Sequence, residues 1–387
     1  LTLLPVSALA ADEGEGEAAT VSVDSFEALK SAASSAEGTI IEVSSDIEMT
    51  EAVTFENKVT LKLTETANIT YSSDTNTQLY LITLQDGSTL EMAEGSQVTM
   101  TGDETSQDAN RDWRALYSNG SLTVTQFEGS ITVENARGRG LYANNDLVFD
   151  CPMAGTVTMN NPNGDNRYLY GIVSYGGNIT FNQGISSVGK VSVTYGKGNN
   201  GYGIAAQSGS VSVTGDIAGE IDVQMGVSHA GIGIYAAQNV TVTGDISGRI
   251  YARGGSGSGY GVYAEDGDIA IAEISGSVTG DCYNETMENS QSGASALYAG
   301  GSIYGSKAGE EVTPLQLTGT LSSTVGRNDA FTVQADGDID IAISEGGSIK
   351  AQSSYGAEWT GLEDGYEEMS NNWGGAAAGA NAGGEIN

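Results

Sequence analysis

One short phrase recurs along this chain at intervals of 25 to 35 residues, and it limits the possible folds more than any other feature. Each copy has a glycine or alanine, an aliphatic residue, often a tyrosine, and then a small residue. The anchors are Leu116, Leu141, Ile172, Ile204, Ile234, Val262, Leu297 and Phe331. Self-similarity at such a period is typical of repeat architectures, in which each repeat buries its apolar face on its neighbours.

Each repeat contains three short strands. After the anchor Ile234, residues 239–242 and 249–252 alternate apolar and polar side chains, and residues 243–248 join them. Inward β-branched residues, glycine at the corners and length variation in one connection predict an all-β fold, a right-handed single-stranded parallel β-helix of about nine to eleven coils. A β-propeller would need four strands per repeat, and a left-handed hexapeptide helix would show a much shorter period.

A short amphipathic helix is predicted before the array, at residues 25–33, followed by a strand at residues 39–43. The open end of a β-helix exposes unpaired strand edges, and a helix that covers this end removes the resulting risk of aggregation. Phe26 and Leu29 lie three residues apart, so both can lie over the first coil.

These segments resemble a known family. Residues 26–30, 38–43, 46–47 and 59–63 resemble the N-terminal cap and first coils of secreted pectin-lyase-like β-helix proteins, and residues 84–351 are similar to adhesin-like or autotransporter-passenger-like members of that superfamily. The resemblance covers most of the chain. It implies the fold and export from the cell, and it implies no particular reaction.

The chain divides into four segments by composition. Residues 1–10 read as a signal-peptide remnant with a small-residue cleavage site, although a buried strand is the rival interpretation. Residues 11–20 read as an acidic linker, 21–352 as the capped β-helix and 353–387 as a poorly ordered C-terminal linker. We therefore expect a secreted or cell-surface protein.

The net charge of −35, with only 15 lysines and arginines, bounds the possible partners. Such a surface does not neutralise phosphate backbones or anionic lipid, so we expect no nucleic-acid partner. No apolar run approaches the roughly 20 residues that cross a bilayer, so we expect no membrane insertion of this chain. Cations, polysaccharides and host-surface glycans are the expected partners of a protein that we predict to be monomeric.

Few residues suit redox or metal chemistry. Cys151 and Cys282 fall four coils apart, about 19 Å along the axis, beyond the reach of about 7 Å for a disulfide, so two free or buried thiols are expected. His229 is the only histidine, and its place in a connection is interpreted as incidental.

Asp216 and Asp245 occupy matching Thr-Gly-Asp-Ile turns, so they are expected one coil apart. Two stacked carboxylates repel each other unless a cation or water separates them, which makes them a candidate calcium site. The alternative is an Asx-type turn in which each aspartate caps its own backbone. No other cofactor is indicated.

Two further columns of outward residues are predicted. Lys190, Glu220 and Arg249 should form an alternating ladder of charges on three successive coils. A tyrosine column should face outward from one sheet, and its members are Tyr117, Tyr142, Tyr235, Tyr263 and Tyr298. Exposed aromatic residues offer apolar contact to sugar rings, so this column is the candidate ligand-binding site, and the alternative is an aromatic ladder that only stiffens the sheet.

The first functional hypothesis is a non-catalytic, adhesin-like protein that binds glycan or a host surface. The second is a polysaccharide-active lyase or glycoside hydrolase of the same fold. Pectate-type lyases, as the resemblance implies, need an acidic calcium cluster beside an arginine or lysine base, and no such group is apparent in the sequence. A purely structural spacer is the third hypothesis.

Overall fold

The structure is a computed structural model. The described residues are 18–73, 78–102, 112–165, 168–197, 200–226, 230–255, 257–282, 293–308, 311–325, 330–353, 357–360 and 377–387. The predicted signal-peptide remnant, residues 11–17 of the predicted linker and His229 lie outside them.

The chain forms three long parallel sheets, and successive strands pass from one sheet to the next, as in a right-handed parallel β-helix. Sheet 1 contains Thr20–Val23, Ile40–Val43, Thr60–Leu63, Ser88–Met92, Leu122–Phe127, Leu147–Phe149, Ile179–Phe181, Val211–Val213, Val240–Asp245, Ile269–Ile274, Ile303–Tyr304, Leu315–Leu317 and Ile341–Ile343. Sheet 2 contains Asp46–Met49, Asn68–Ser73, Gln97–Gly102, Ser130–Glu134, Thr156–Asp165, Lys190–Lys197, Glu220–Met225, Arg249–Gly254, Ser277–Cys282, Thr320–Val325, Ser348–Ser353 and, antiparallel to it, Ala357–Thr360.

Sheet 3 completes the coils. It contains Val53–Thr54, Leu79–Leu84, Asp112–Ser118, Arg137–Ala143, Leu169–Ser174, Gly201–Ala206, Gly231–Ala236, Gly259–Ala264, Ala294–Ala299, Ala330–Ala335 and Ala377–Ala382. A small antiparallel hairpin, Ser306–Ala308 with Glu311–Thr313, is inserted between two strands of sheet 1. Sheets of 13, 12 and 11 strands make about twelve coils, slightly more than the sequence indicated.

The anchors predicted from the sequence stack in register inside the coils. Leu116 pairs with Leu141, and the column continues through Ile172, Ile204, Ile234, Val262 and Leu297. The last predicted anchor is different, because Val333 rather than Phe331 pairs with Leu297. Phe331 lies two positions earlier and is only partly buried, while Val333 is fully buried.

The position before each anchor is small because the next coil approaches closely. A Cβ atom on Gly203 would lie 2.6 Å from the carbonyl oxygen of Gly233 and 2.7 Å from Cγ2 of Ile221. This crowding explains why glycine occupies the position in most copies of the repeated phrase, with alanine at Ala115 and Ala296. The small-residue segment Ala377–Ala382, within the predicted C-terminal linker, also pairs as a strand of sheet 3, with Ala330–Ala335.

Side chains in the turn between sheets 3 and 1 hold successive coils together. Asn178 Oδ1 accepts a hydrogen bond from the backbone N–H of Ser210 at 2.9 Å, and Asn239 Oδ1 accepts one from Asp268 at 2.8 Å. Asp268 in turn accepts one from Ser302 at 2.8 Å. Each bond joins one coil to the next, so this ladder helps to fix the register of the stack.

The predicted helix covers the first coil. It spans Phe26–Ala32, and the N-cap Ser25 accepts a hydrogen bond from the backbone N–H of Ala28 at 3.4 Å. Leu29 is fully buried and Phe26 packs partly buried against the core. Among the described residues, the structure has no helix with the length and apolarity needed to cross a bilayer.

The connection from sheet 2 to sheet 3 varies most in length. It takes two residues between Ser130–Glu134 and Arg137–Ala143, and eleven between Ser277–Cys282 and Ala294–Ala299. This edge of the coil therefore differs most from repeat to repeat, and it borders both the outer face of sheet 2 and the tyrosines of sheet 3.

Candidate binding face on sheet 3

All five tyrosines predicted as a column occupy one outward register position of sheet 3. Tyr117 pairs with Tyr142, and Tyr235, Tyr263 and Tyr298 follow one another on consecutive coils. Val173 and Ala205 occupy the same position on the two coils between them. The expected column is therefore present, with an aliphatic interval in its middle.

A second outward column, which the sequence analysis missed, lies beside the first. Tyr170 and Tyr202 pair on successive coils, and Tyr260 continues their column beyond Ile232. A tyrosine two residues before the anchor, as in Tyr170-Gly171-Ile172, is the signal that marks this column. We call both columns together the tyrosine face; its members are Tyr80, Tyr117, Tyr142, Tyr170, Tyr202, Tyr235, Tyr260, Tyr263 and Tyr298. The face crosses eight strands, or about 34 Å.

The N-terminal section of the face is built around two arginines. The guanidinium carbon of Arg114 lies 4.1 Å from the ring centroid of Tyr80 and 4.3 Å from that of Tyr142. Arg139 lies 5.2 Å from the rings of both Tyr142 and Tyr170. These two rings do not contact each other within the described structure, so the guanidinium group connects them through cation–π contacts. Asp112 pairs with Arg139 at 2.6 Å and with Arg114 at 3.6 Å.

The hydroxyl groups of this section bond to neighbouring protein groups. Tyr142 donates to Asn144 Oδ1 at 2.8 Å, and Asn144 Nδ2 donates to the hydroxyl oxygen of Tyr117 at 2.7 Å. Gln207 donates to Tyr170, and burial raises the pKa of that phenol. Tyr142 and Tyr170 are only 4% and 3% exposed. This section is therefore largely closed to a ligand.

The C-terminal section is different. The rings of Tyr263 and Tyr298 stack with centroids 4.7 Å apart and planes 12° apart, and Tyr235 extends the stack at 5.7 Å from Tyr263. Tyr260 lies beside this stack, 4.8 Å from Tyr263. Tyr235 donates its hydroxyl hydrogen to Glu265.

Tyr263 and Tyr298 remain partly exposed, and within the described part of the chain their hydroxyl groups show no hydrogen-bond partner. Burial is the main cause of the raised pKa of both phenols. They therefore stay protonated around neutral pH and can donate a hydrogen bond to an incoming acceptor.

The candidate calcium ligands have hydrogen-bond partners in the next coil. Asp216 Oδ1 accepts from the backbone N–H of Asp245 at 2.9 Å, and Asp245 Oδ1 accepts from that of Ser275 at 2.9 Å. The Ser275 hydroxyl donates to the other oxygen of Asp245. The described residues contain no group of three or more acidic, histidine or cysteine side chains placed to hold a metal ion. Calcium binding at this pair stays a prediction.

The predicted ladder of charges on sheet 2 is confirmed. Lys190 pairs with Glu220 at 2.9 Å and Arg249 pairs with Glu220 at 2.8 Å. The hydrogen bond from Lys190 is the main cause of the lowered pKa of Glu220, and Arg249 adds to it.

A charged cluster that sequence reasoning missed lies beside this ladder on the outer face of sheet 2. Arg249 pairs with Asp222 at 3.3 Å and lies over the ring of Tyr251 at 4.6 Å. Burial and Asp281 raise the pKa of Tyr251 to about 12, and burial raises the pKa of Asp281. Oδ1 of Asp281 is buried and accepts no hydrogen bond from the described residues. Only pairing across two coils brings these residues together, so no local motif marks them.

The two cysteines are buried and not joined by a disulfide, as predicted. Burial raises the pKa of the Cys151 thiol to about 11.

Comparison of this chain with protein-family models, with curated proteins and with solved structures found no match.

Proposed function

We propose that this chain is an exported, cell-surface or secreted, non-catalytic protein of adhesin-like type, which binds a polysaccharide or a host-surface glycan through the C-terminal section of its tyrosine face. The observation that carries the proposal is the run Tyr235, Tyr263 and Tyr298 on three consecutive coils, partly exposed, in which the hydroxyl groups of Tyr263 and Tyr298 have no hydrogen-bond partner among the described residues.

The chemistry of this run suits sugars. Each phenol combines an apolar ring edge with a hydroxyl that donates and accepts hydrogen bonds, and a sugar offers both C–H groups and hydroxyls. The three rings recur at about 4.8 Å along the coil, so they suit an extended polymer better than a small metabolite. When a sugar covers part of each ring, the buried apolar surface adds to the binding free energy that the hydrogen bonds supply.

The charge of the chain favours a neutral glycan. With a net charge of −35, the protein repels polyanions at long range. Glu265, which accepts the hydroxyl hydrogen of Tyr235, places a carboxylate beside the run itself. An uncharged polysaccharide approaches without this repulsion.

Placement in the pectin-lyase-like superfamily, near its passenger-like adhesins, is part of the same proposal. The cap helix Phe26–Ala32, the three parallel sheets and the polar ladder in the turn between sheets 3 and 1 support it. Export is supported by the apolar residues and the Ala8-Leu9-Ala10 triplet at the start of the given sequence.

A screen tests the proposed function. The full chain is passed over immobilised plant, host and bacterial polysaccharides, with calcium and with chelator, and both retention and the release of unsaturated or reducing-end products are read. We expect retention on a neutral polysaccharide without product. Lack of retention on every polysaccharide would contradict the proposal and favour a structural spacer, for which the hydrogen-bonded N-terminal section is the supporting observation.

A polysaccharide-active enzyme is the second candidate, and the cluster on sheet 2 favours it. Asp281, with its raised pKa, suits a general acid, while Asp222 is paired with Arg249. The two residues lie two coils apart and two positions apart along the strand, roughly 12 Å between their Cα atoms. This separation is too long for a retaining pair of carboxylates and leaves an inverting pair as the arrangement to test. Product release that Asp281→Asn abolishes would establish this function instead.

A further inference from the structure

The outer face of sheet 2 carries a column of hydroxyl groups on five consecutive coils. Thr70 pairs with Thr99, Thr99 with Thr132, Thr132 with Thr158, and Thr158 with Ser192, without a register shift between them. We call these five residues the hydroxyl column. Since adjacent strands lie about 4.8 Å apart, the hydroxyl groups recur at this interval over about 19 Å.

Four of the five side chains of the hydroxyl column are threonines, whose χ1 rotation is restricted. Threonine is β-branched and has few χ1 rotamers in a strand. The strand residues on either side of Thr132, Ile131 and Val133, are fully buried, and Val157 and Val191 continue the buried layer under the column. A rigid row of donors and acceptors loses little conformational entropy when a ligand binds to it.

These hydroxyl groups are partly exposed and make no hydrogen bond to any described residue of the chain. Further along the same column the situation changes, because Thr279 and Ser322 bond to each other at 2.8 Å. The side chains of the hydroxyl column are therefore open to solvent or to a ligand.

Charge sets the limits of this surface. Glu48 pairs with Thr70 at one end of the column, and Asp222 pairs with Ser192 at the other. Between them the five central positions are uncharged, in a chain of net charge −35. Glu134 and Lys190 border the column on the same face, two residues away along their strands. Sheet 1 also has outward threonines, but Val148 interrupts their column between Thr123 and Thr180. Within the described residues, the unbroken run of five hydroxyl groups is thus specific to sheet 2.

The size of the surface selects the kind of partner. Five strands at about 4.8 Å, each with about five residues at 3.3 Å, give roughly 400 Å². This is about half of the roughly 800 Å² per partner that a stable protein interface buries, so a second copy of the chain is disfavoured. A single polymer chain is narrow enough for the surface.

We propose that the hydroxyl column is a second binding site for a neutral polysaccharide, whose chain lies along the coil axis and exchanges hydrogen bonds with successive threonine hydroxyls. This site lies on a different sheet from the tyrosine face and does not depend on it. With both faces occupied, one molecule bridges two polysaccharide chains.

The test uses the isosteric change of threonine to valine, which removes the hydroxyl and keeps the shape and strand preference of the side chain. The triple variant Thr99→Val, Thr132→Val and Thr158→Val is compared with the wild type for retention on microcrystalline cellulose and insoluble xylan. Loss of three hydrogen bonds is expected to weaken retention about tenfold or more on at least one of them. The control triple variant on sheet 1, Thr123→Val, Thr180→Val and Thr241→Val, should bind like the wild type.

Parallel measurement of Tyr263→Ala with Tyr298→Ala separates this site from the proposed function. If only the tyrosine variant loses retention, the hydroxyl column is not a binding site and the tyrosine face is. If only the threonine triple variant on sheet 2 loses retention, the hydroxyl column is a binding site and the tyrosine face is not. Equal retention of both threonine variants, or no retention of the wild type on either polymer, would overturn the second site. Circular dichroism verifies that each variant keeps its strands.

Discussion

The backbone N–H of Asp245 donates a hydrogen bond of 2.9 Å to Oδ1 of Asp216, one coil earlier. Asp245 repeats the arrangement by accepting from the backbone N–H of Ser275. These turn aspartates therefore connect coils in the same way as the asparagines in the turn between sheets 3 and 1. The repeated Thr-Gly-Asp turn thus has a structural role whether or not a cation also binds there.

Asp245→Ala should lower the free energy of unfolding by about 1 kcal/mol or more, because the amide and hydroxyl of Ser275 lose their acceptor. Asp245→Asn keeps one acceptor and should cost less. Urea unfolding followed by circular dichroism measures the difference. The exposed Asp266→Ala is the control and should change stability by less than about 0.5 kcal/mol. An equal loss in Asp266→Ala would contradict this role for Asp245.

If calcium binds between Asp216 and Asp245, adding calcium should raise the urea midpoint of the wild type. The variant Asp216→Asn should abolish this rise.

Phe149→Ala should be strongly destabilising. Its ring stacks on Phe181 with centroids 4.6 Å apart and meets Phe127 edge-on at 5.8 Å, and all three are fully buried. The cavity left between the two remaining rings is expected to cost about 3 to 5 kcal/mol in urea unfolding. Val148→Ala, on the outer side of the same strand, should cost much less. Similar losses for both would mean that the three rings do not pack as described.

The pH dependence of stability should carry a contribution from Asp281. Burial raises its folded-state pKa above the unfolded value, so the folded state holds the proton to higher pH than the unfolded chain does. Stability should therefore fall as pH rises from about 4, near the unfolded pKa, through the folded pKa. Urea unfolding at a series of pH values should show a shallower decline for Asp281→Asn. Identical profiles for the variant and the wild type would refute this assignment.

Cys151 should resist alkylation in the native protein. Its thiol is buried and its pKa is raised to about 11, so the reactive thiolate is scarce at pH 8. Iodoacetamide treatment followed by peptide mass spectrometry should leave Cys151 unmodified in buffer and modify it in urea. Rapid native labelling would indicate that this coil opens readily.

The anchors could be predicted from the sequence because each coil repeats the same physical requirement, an aliphatic side chain after a crowded small residue. The prediction is wrong at Phe331 because two hydrophobic residues, Phe331 and Val333, stand two positions apart on one strand, and alternation alone does not decide which of them is the anchor that pairs with Leu297. The small residues of Ala377–Ala382 lack strand propensity and predict a linker, whereas the structure pairs them with Ala330–Ala335 as the last strand of sheet 3.

The candidate sites depended on more than local pattern. The column of Tyr235, Tyr263 and Tyr298 follows from the alignment of repeats, and so does the ladder of Lys190 and Glu220. The contacts of Arg249 with Asp222 and of Tyr251 with Asp281 do not, because each pair meets diagonally across coils and not in register. The environment that raises the pKa of Asp281 depends on burial, which a one-dimensional pattern does not show.

The most direct test of the tyrosine face is the affinity of the full chain for the neutral polysaccharide that retains it, compared with that of Tyr263→Ala combined with Tyr298→Ala. The two stacked rings should together contribute about tenfold or more in affinity. Tyr175→Ala removes a tyrosine that is 56% exposed and lies outside the face, so it should bind like the wild type. A double variant that binds as tightly as the wild type would contradict the account.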